Sequence, residues 1–400
     1  MLVKQYIKDF EAMGFGIFTH FGIYSVLGKG EWAKSCHFIS DTEYEALATK
    51  FHPAENWAEE LVLAAKDAGA KYITLTARHH DGYSLYDTRG LSDFDAQTHI
   101  GRDLVREFVD ACNVHGIKPF FYHTLLDWHM PTYKTDFSSY LRYLRESVEI
   151  LCTNYGKIGG IWFDGSWDKP DADWEQDELY SLIRRYQPDA MIINNTGMDA
   201  RGALGHIELD SVTFERGKPM PINLSSSPKY IASEMCQVLN NHWGYAENDL
   251  AYSSTKDIIS ELAECRRTGA NYLLNVGPMK NGILRTIDRG ILEVIGKWVR
   301  MNEEALRTAR PSNITVLDHP EDFALRKEDS IYLFIRNAPD CNQNIECRVI
   351  IGTNSAPKSA VWLDNAQPLP CCHNADHTQI TLLPMDYGTF LPVRIIKLEI

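Results

Sequence analysis

The sequence holds no CxxC pair. Its nine cysteines (Cys36, Cys112, Cys152, Cys236, Cys265, Cys341, Cys347, Cys371 and Cys372) are odd in number and irregular in spacing, which signals neither a disulfide framework nor a cysteine-based zinc site. No apolar run approaches the ~18 residues of a membrane span. The opening Met-Leu-Val-Lys-Gln-Tyr lacks a basic stretch followed by an apolar one, so the chain as it stands reads as cytoplasmic, with reduced thiols. GxGxxG and P-loop signatures are missing, as are internal repeats and low-complexity segments. Basic residues are also short: 40 Lys and Arg against 54 Asp and Glu leave a net charge of −14. Without a basic face to neutralise phosphates, neither a nucleic acid nor an anionic membrane is expected as partner, and a neutral or cationic ligand fits.

What the sequence does hold is aromatic side chains beside polar ones. Nine Trp and nineteen Tyr are present, several of them in pairs such as Glu31-Trp32, Asp127-Trp128-His129 and Trp162-Phe163-Asp164. A pyranose has an apolar C–H face and a rim of hydroxyls, which such pairs suit. Taken singly, each aromatic is more simply a core residue.

Four hundred residues predict one large catalytic domain and a smaller one. Short apolar runs alternate with amphipathic stretches through the first part. Strands are predicted at Gly14–Tyr24, Tyr72–Thr76, Lys118–Thr124, Gly159–Phe163 and Met191–Asn194. Helices are predicted at Trp57–Ala68, Leu104–His115, Tyr140–Tyr155 and Glu178–Tyr186. Repeated β and α units of this size predict a parallel sheet closed as a (β/α) barrel. His79 and His80 come after Tyr72–Thr76, His123 and Asp127 after the apolar run Pro119–Tyr122, and Asp164 after Ile161–Phe163, where a barrel places its active site. Beyond residue 308 the texture changes to short β-prone pieces: Ile314–Leu317, Ala324–Arg326, Ser330–Ile335, Glu346–Ile350, Ser359–Leu363, Gln379–Leu383 and Val393–Leu398. They predict a β-sandwich, so the expected division is 1–307 for the barrel and 308–400 for the sandwich.

Glycosidic bonds are generally cut by two carboxyl groups, one nucleophile or base and one proton donor. Asp164 is the best candidate for the first, because apolar Ile161-Trp162-Phe163 puts it at the mouth of a buried strand and Gly165 lets another group approach. Alone, such an Asp is more often a helix cap or loop anchor. His79-His80-Asp81-Gly82 is a second cluster. Neighbouring side chains on a strand point apart, so both histidines face one ligand only if the strand ends there, and Gly82 permits the turn. A zinc reading would need His20 and His123 as further ligands and is the weaker one.

Six segments then occur in order: Phe18 to Ser25 (FTHFGIYS), Gly30-Glu31-Trp32, Ala70 to Tyr83 (AKYITLTARHHDGY), Trp162-Phe163-Asp164-Gly165, His242-Trp243-Gly244-Tyr245, and Gly269 to Pro278 (GANYLLNVGP). Together they resemble the α-L-fucosidases of glycoside hydrolase family 29, across the whole predicted barrel. The resemblance implies retaining hydrolysis of terminal α-linked L-fucose from fucosylated oligosaccharides or glycoconjugates, with no metal or organic cofactor. It implies Asp164 as nucleophile. It also implies His20, Glu31, Trp32, His79, His80, Tyr122 and Trp162 as residues that bond to or pack on fucose.

The acid/base is less fixed. Asp210-Ser211-Val212-Thr213-Phe214-Glu215 resembles a family pattern whose last Glu donates the proton. Glu234 precedes the Trp-Gly-Tyr motif where relatives commonly have Trp-Glu, and Glu208 lies near both. The order of preference is Glu215, Glu234, Glu208. Two departures from the family concern specificity. Asn194-Asn195-Thr196-Gly197 stands where many relatives have Asp-Arg, which leaves Arg201 or Arg216 to replace that arginine, and Tyr122-His123-Thr124 stands where many have Tyr-Ser. The rival readings are a glycosidase for a related sugar such as an α-L-galactoside, and a non-catalytic fucose-binding protein.

Overall fold

The computed structural model describes residues 2–196, 202–222, 224, 227–341, 347–353 and 355–400. Eight strands, β1 (Phe15–Thr19), β2 (Tyr72–Arg78), β3 (Lys118–Thr124), β4 (Gly160–Asp164), β5 (Met191–Asn194), β6 (Ser211–Glu215), β7 (Ala232–Val238) and β8 (Asn271–Val276), close in chain order into a barrel. Every pairing is parallel, including β1 with β8, so the expected barrel is the fold. The strands read as apolar runs rather than alternations because both of their faces are covered.

Where a helix precedes a barrel strand, the strand begins soon after the helix stops. Asp103 caps Leu104–His115 by accepting from the Arg106 N–H, and Gly116, at φ 69°, ends that helix two residues before β3. The barrel is a packed core, not a pore. Phe18, Tyr72, Phe120, Tyr122, Trp162 and Ile193 fill it, and Phe10, from the helix Gln5–Met13, packs at a tilt against Tyr72 and Phe120. Gly16 is dictated by this filling, since a Cβ there would lie 2.4 Å from the Tyr72 ring.

Packing divides the chain into two compact units, Met1–Ser253 with Asn271–Glu293, and Ser254–Ala270 with Val294–Ile400. The second contains β9 (Arg310–Pro311), β10 (Phe323–Lys327), β11 (Ser330–Ile335), β12 (Cys347–Gly352), β13 (Ser359–Trp362), β14 (Cys371–Asn374), β15 (His377–Leu382) and β16 (Arg394–Glu399). They form a five-stranded sheet, β13-β16-β11-β10-β9, and a three-stranded one, β12-β15-β14. Leu333, Ile396, Val349, Ile380 and Trp362 pack between them as the sandwich core. Ile314–Leu317 is not a strand as predicted; it makes one bridge, Val316 to Ile351, and Leu317 is exposed. Glu346, the predicted start of β12, lies outside the described residues. Among the described residues no helix is long and apolar enough to cross a membrane.

Candidate active site

Asp164 is the last residue of β4 and opens into a cavity of about 170 Å³ at the C-terminal end of the barrel. Four donors converge on its carboxylate. The Tyr122 hydroxyl donates to Oδ2 at 3.0 Å, and the His80 Nε2 lies 3.5 Å from the same oxygen. The Trp167 indole N–H and the Asn195 amide each reach Oδ1 at 3.3 Å. Burial pushes the carboxyl up, but His80, Trp167 and Tyr122 outweigh it and hold it below the ordinary carboxylate range. Gly165, at φ +100°, makes this crowding possible: a Cβ there would sit 2.7 Å from the Leu126 Cβ.

Glu215 ends β6 in the same cavity. Burial, followed by the charge of Asp164, raises its pKa, and the bond from Asn195 only partly opposes the rise. Asn195 Nδ2 donates to Glu215 Oε2 at 2.6 Å and to Asp164 Oδ1 at 3.3 Å, so these two carboxylate oxygens lie no more than 5.9 Å apart. Thr213 Oγ1 donates to Asn195 Oδ1 at 3.2 Å, and an ionised carboxylate only accepts, so the nitrogen end of the amide faces the acids.

Both members of the histidine pair line the cavity. The register of β2 against β3 slips between Thr76 and Arg78, the strand ends at Arg78, and Gly82, at φ +84°, turns the chain. His79 is stacked on Tyr122, with ring centroids 5.5 Å apart, and burial keeps it neutral. His80 Nδ1 bonds to Thr124 Oγ1 at 2.7 Å, which turns Nε2 to Asp164. His20 is pushed down to about 3 by burial. Asn275 spends its amide N–H on the Trp243 carbonyl and accepts from His20 Nδ1 at 2.7 Å, leaving His20 Nε2 as a hydrogen-bond acceptor.

The aromatic walls are Trp32, Trp162, Trp167, Trp243 and Phe18. Trp162 stacks on Tyr122 at 5.7 Å, and Trp32 lies nearly parallel to Trp167 at 5.9 Å. Trp167, Asn195, Trp243 and Cys236 belong to the lining and were not singled out from sequence as site residues. The family-like motifs do contain Trp243, and Trp167 follows Asp164 by three residues.

The other predicted residues are placed differently. Glu31 does not line the cavity; it is buried, and its Oε2 accepts from the Gly244 N–H at 2.7 Å. Glu234 lies in the barrel interior, accepting from the Tyr72 hydroxyl at 2.5 Å and the Trp162 indole at 3.0 Å, and burial raises it to about 7. Its position on β7, two residues before Cys236, keeps it below the floor that Trp162 makes. Glu208 pairs with Arg184 outside the cavity. Arg216 is exposed, bonds to the Asn241 carbonyl and lies over the Trp243 ring; Arg201 lies outside the described residues.

The family model described as "Alpha-L-fucosidase" matches residues 2–304. Rat tissue alpha-L-fucosidase is 30% identical over 339 residues, covering 76% of this chain and 70% of the relative. The structure of alpha-L-fucosidase isoenzyme 1 from Paenibacillus thiaminolyticus aligns with a TM-score of 0.86 at 29% identity, covering 99% of this chain and 98% of that one. A Bacteroides thetaiotaomicron alpha-L-fucosidase trapped as a covalent intermediate aligns with a TM-score of 0.83 over 99% of this chain and 96% of that one. At 21% identity that likeness speaks for the fold alone. With the family model spanning three quarters of the chain and the cavity built on the same motifs, this chain belongs to the α-L-fucosidases of glycoside hydrolase family 29.

Proposed function

We propose that this retaining α-L-fucosidase removes terminal α-linked L-fucose with Asp164 as nucleophile and Glu215 as acid/base, the chemistry being carried by residues 1–307. The observation that carries the reading is that one amide nitrogen bonds both acids, so that the nearer oxygens of the two carboxyl groups lie within 5.9 Å of each other. An inverting enzyme needs about 6.5–9.5 Å to lodge water between its acids, and a retaining one about 5–5.5 Å. Their pKa values are also driven apart, Asp164 down and Glu215 up, which suits an ionised nucleophile beside a protonated acid.

In the first step Asp164 attacks the anomeric carbon while Glu215 protonates the departing oxygen, giving a covalent fucosyl ester. Glu215, now ionised, takes a proton from water, which attacks the same carbon from the face just vacated and frees Asp164. His20 Nε2 accepts from one ring hydroxyl, and His79 faces another. Trp32 and Trp162 cover the ring and the C5 methyl group. A desolvated hydroxyl left without a partner costs about 1–3 kcal/mol, which is why neutral imidazoles serve a neutral sugar.

The test combines product stereochemistry with chemical rescue. NMR during early turnover of an aryl α-L-fucoside is expected to show α-L-fucose first; β-L-fucose would end the retaining mechanism. Azide is expected to rescue Glu215→Ala and yield a fucosyl azide, whereas rescue confined to Glu234→Ala would move the role to that residue. Faster turnover of the α-L-galactoside would shift the substrate.

A further inference from the structure

A larger cavity of about 500 Å³ opens beside the first. The loop after β4 supplies Ser166, Trp167, Ala172 and Trp174, and Asn195 and Thr196 after β5 supply the opposite wall. Trp167 and Asn195 line both cavities. Because Asn195 bonds directly to Glu215, the shared wall stands on the side where the departing oxygen is protonated.

We infer that this outer cavity is the leaving-group subsite and that it takes one or two neutral sugar residues joined to the fucose, discriminating against a sulfated or carboxylated neighbour. The inference rests on reading the inner cavity as the fucose site. On the same measure the outer cavity has roughly three times the volume of the inner one, 500 against 170 Å³, so it has room for more than one ring if the inner holds one.

Its aromatic wall is formed in advance. Trp174 is buried, its indole N–H donates to the Lys169 carbonyl at 3.1 Å, and its ring stands edge-on to Phe137 at 5.1 Å. Trp167 is held by Trp32 on one side and Asp164 on the other. A sugar that packs against the parts of these fixed indoles that border the cavity orders nothing in the protein, which removes a usual cost of binding. Ser166, Gln176 and Thr196 add hydroxyl and amide groups. The charge is one-sided. The described lining holds the carboxylates of Asp173 and Asp177 and no lysine or arginine, and the His206 ring already faces Asp177 at 3.2 Å. Among the described lining residues, an anionic sugar would meet two carboxylates and neither a lysine nor an arginine.

The experiment compares substrates that differ only in the leaving group: α-L-fucosyl fluoride, which needs no outer subsite, a fucosylated neutral trisaccharide, and the same trisaccharide sulfated on the sugar next to fucose. Ala172→Trp fills the outer cavity without touching the inner one. It is expected to lower kcat/KM on the neutral trisaccharide by tenfold or more and leave fluoride turnover within about twofold. Asp173→Asn combined with Asp177→Asn, both on exposed positions, is expected to raise sulfated over neutral turnover several-fold. An equal loss on all three substrates by Ala172→Trp, or an unchanged sulfated-to-neutral ratio in the double variant, overturns the subsite. Failure of the wild-type protein to turn over the fluoride overturns the fucosidase reading itself.

Discussion

One amide nitrogen on Asn195 donates to both Asp164 and Glu215, and these carboxylates, which accept, set the orientation of the amide while Thr213 donates to its oxygen. Its bond to Glu215 lowers that acid's pKa against burial and the charge of Asp164. Asn195→Ala is therefore expected to move the alkaline limb of the kcat/KM profile to higher pH while reducing kcat/KM on the order of 10- to 100-fold. A purely structural loss would lower the profile without moving that limb. On the proposed roles, the acidic limb of the wild-type profile is expected to report protonation of the Asp164 side of the pair and the alkaline limb deprotonation of the Glu215 side. Since Asp164 is held low and Glu215 high, the bell is expected to be broad, and Glu215→Gln assayed with an activated aryl fucoside should lose its alkaline limb. Asp164→Ala is expected to cost several powers of ten in kcat/KM with the fold intact by circular dichroism. At this scale Asp164 was legible because a carboxylate after three apolar residues is a visible pattern. Asn195 was not, since an amide gains its meaning only when a second strand brings another acid to it.

The strands explain why some side chains reach the cavity and others do not. Gly165 sits at φ +100° with no space for a Cβ, so Gly165→Ala is expected to displace Asp164 and lower kcat/KM at least tenfold along with the melting temperature. Glu234 makes a different prediction. Its pKa is raised in the folded state to about 7, so the native protein binds the extra proton between the ordinary Glu value and 7. The stabilisation is full below the unfolded pKa and is lost as pH rises through the folded one, to the extent of about 3 kcal/mol. Glu234→Gln, which can accept from Trp162 and donate to Tyr72 at every pH, is expected to show a smaller fall in melting temperature between pH 5 and 8 than the wild-type protein. The first five barrel strands were readable because helices separate them and reset the period. From β5 to β6 and from β6 to β7 no helix intervenes among the described residues, so the rhythm that announces a barrel falls silent where Glu215 is delivered. β14 was equally hidden, because Cys371-Cys372-His373-Asn374 is a largely exposed edge without alternation.

For the molecule as a whole, the change of texture at residue 308 announced the sandwich, but packing follows its own lines. Within the second compact unit the Trp298 indole donates to the Val393 carbonyl at 2.7 Å, Tyr332 to Glu304 at 2.7 Å, and Arg336 to Glu264. A chain ending at residue 307 would strip Trp298, Glu264 and Glu304 of these partners. It is expected to be recovered mainly as aggregate, whereas the full chain elutes as a discrete species on gel filtration. The pairing of an inner cavity with a walled outer one carries a last consequence for what the protein can make. A fucosyl ester can be opened by another hydroxyl in place of water when one is presented on the open face of the sugar. If the outer cavity is the leaving-group subsite inferred above, a saccharide resting there after the first departure presents one near where its own glycosidic oxygen had been. At high saccharide concentration the ester is then expected to partition towards that acceptor, so that the residues that take fucose off would also put it on, which mass spectrometry of the products would show as fucosylated saccharide.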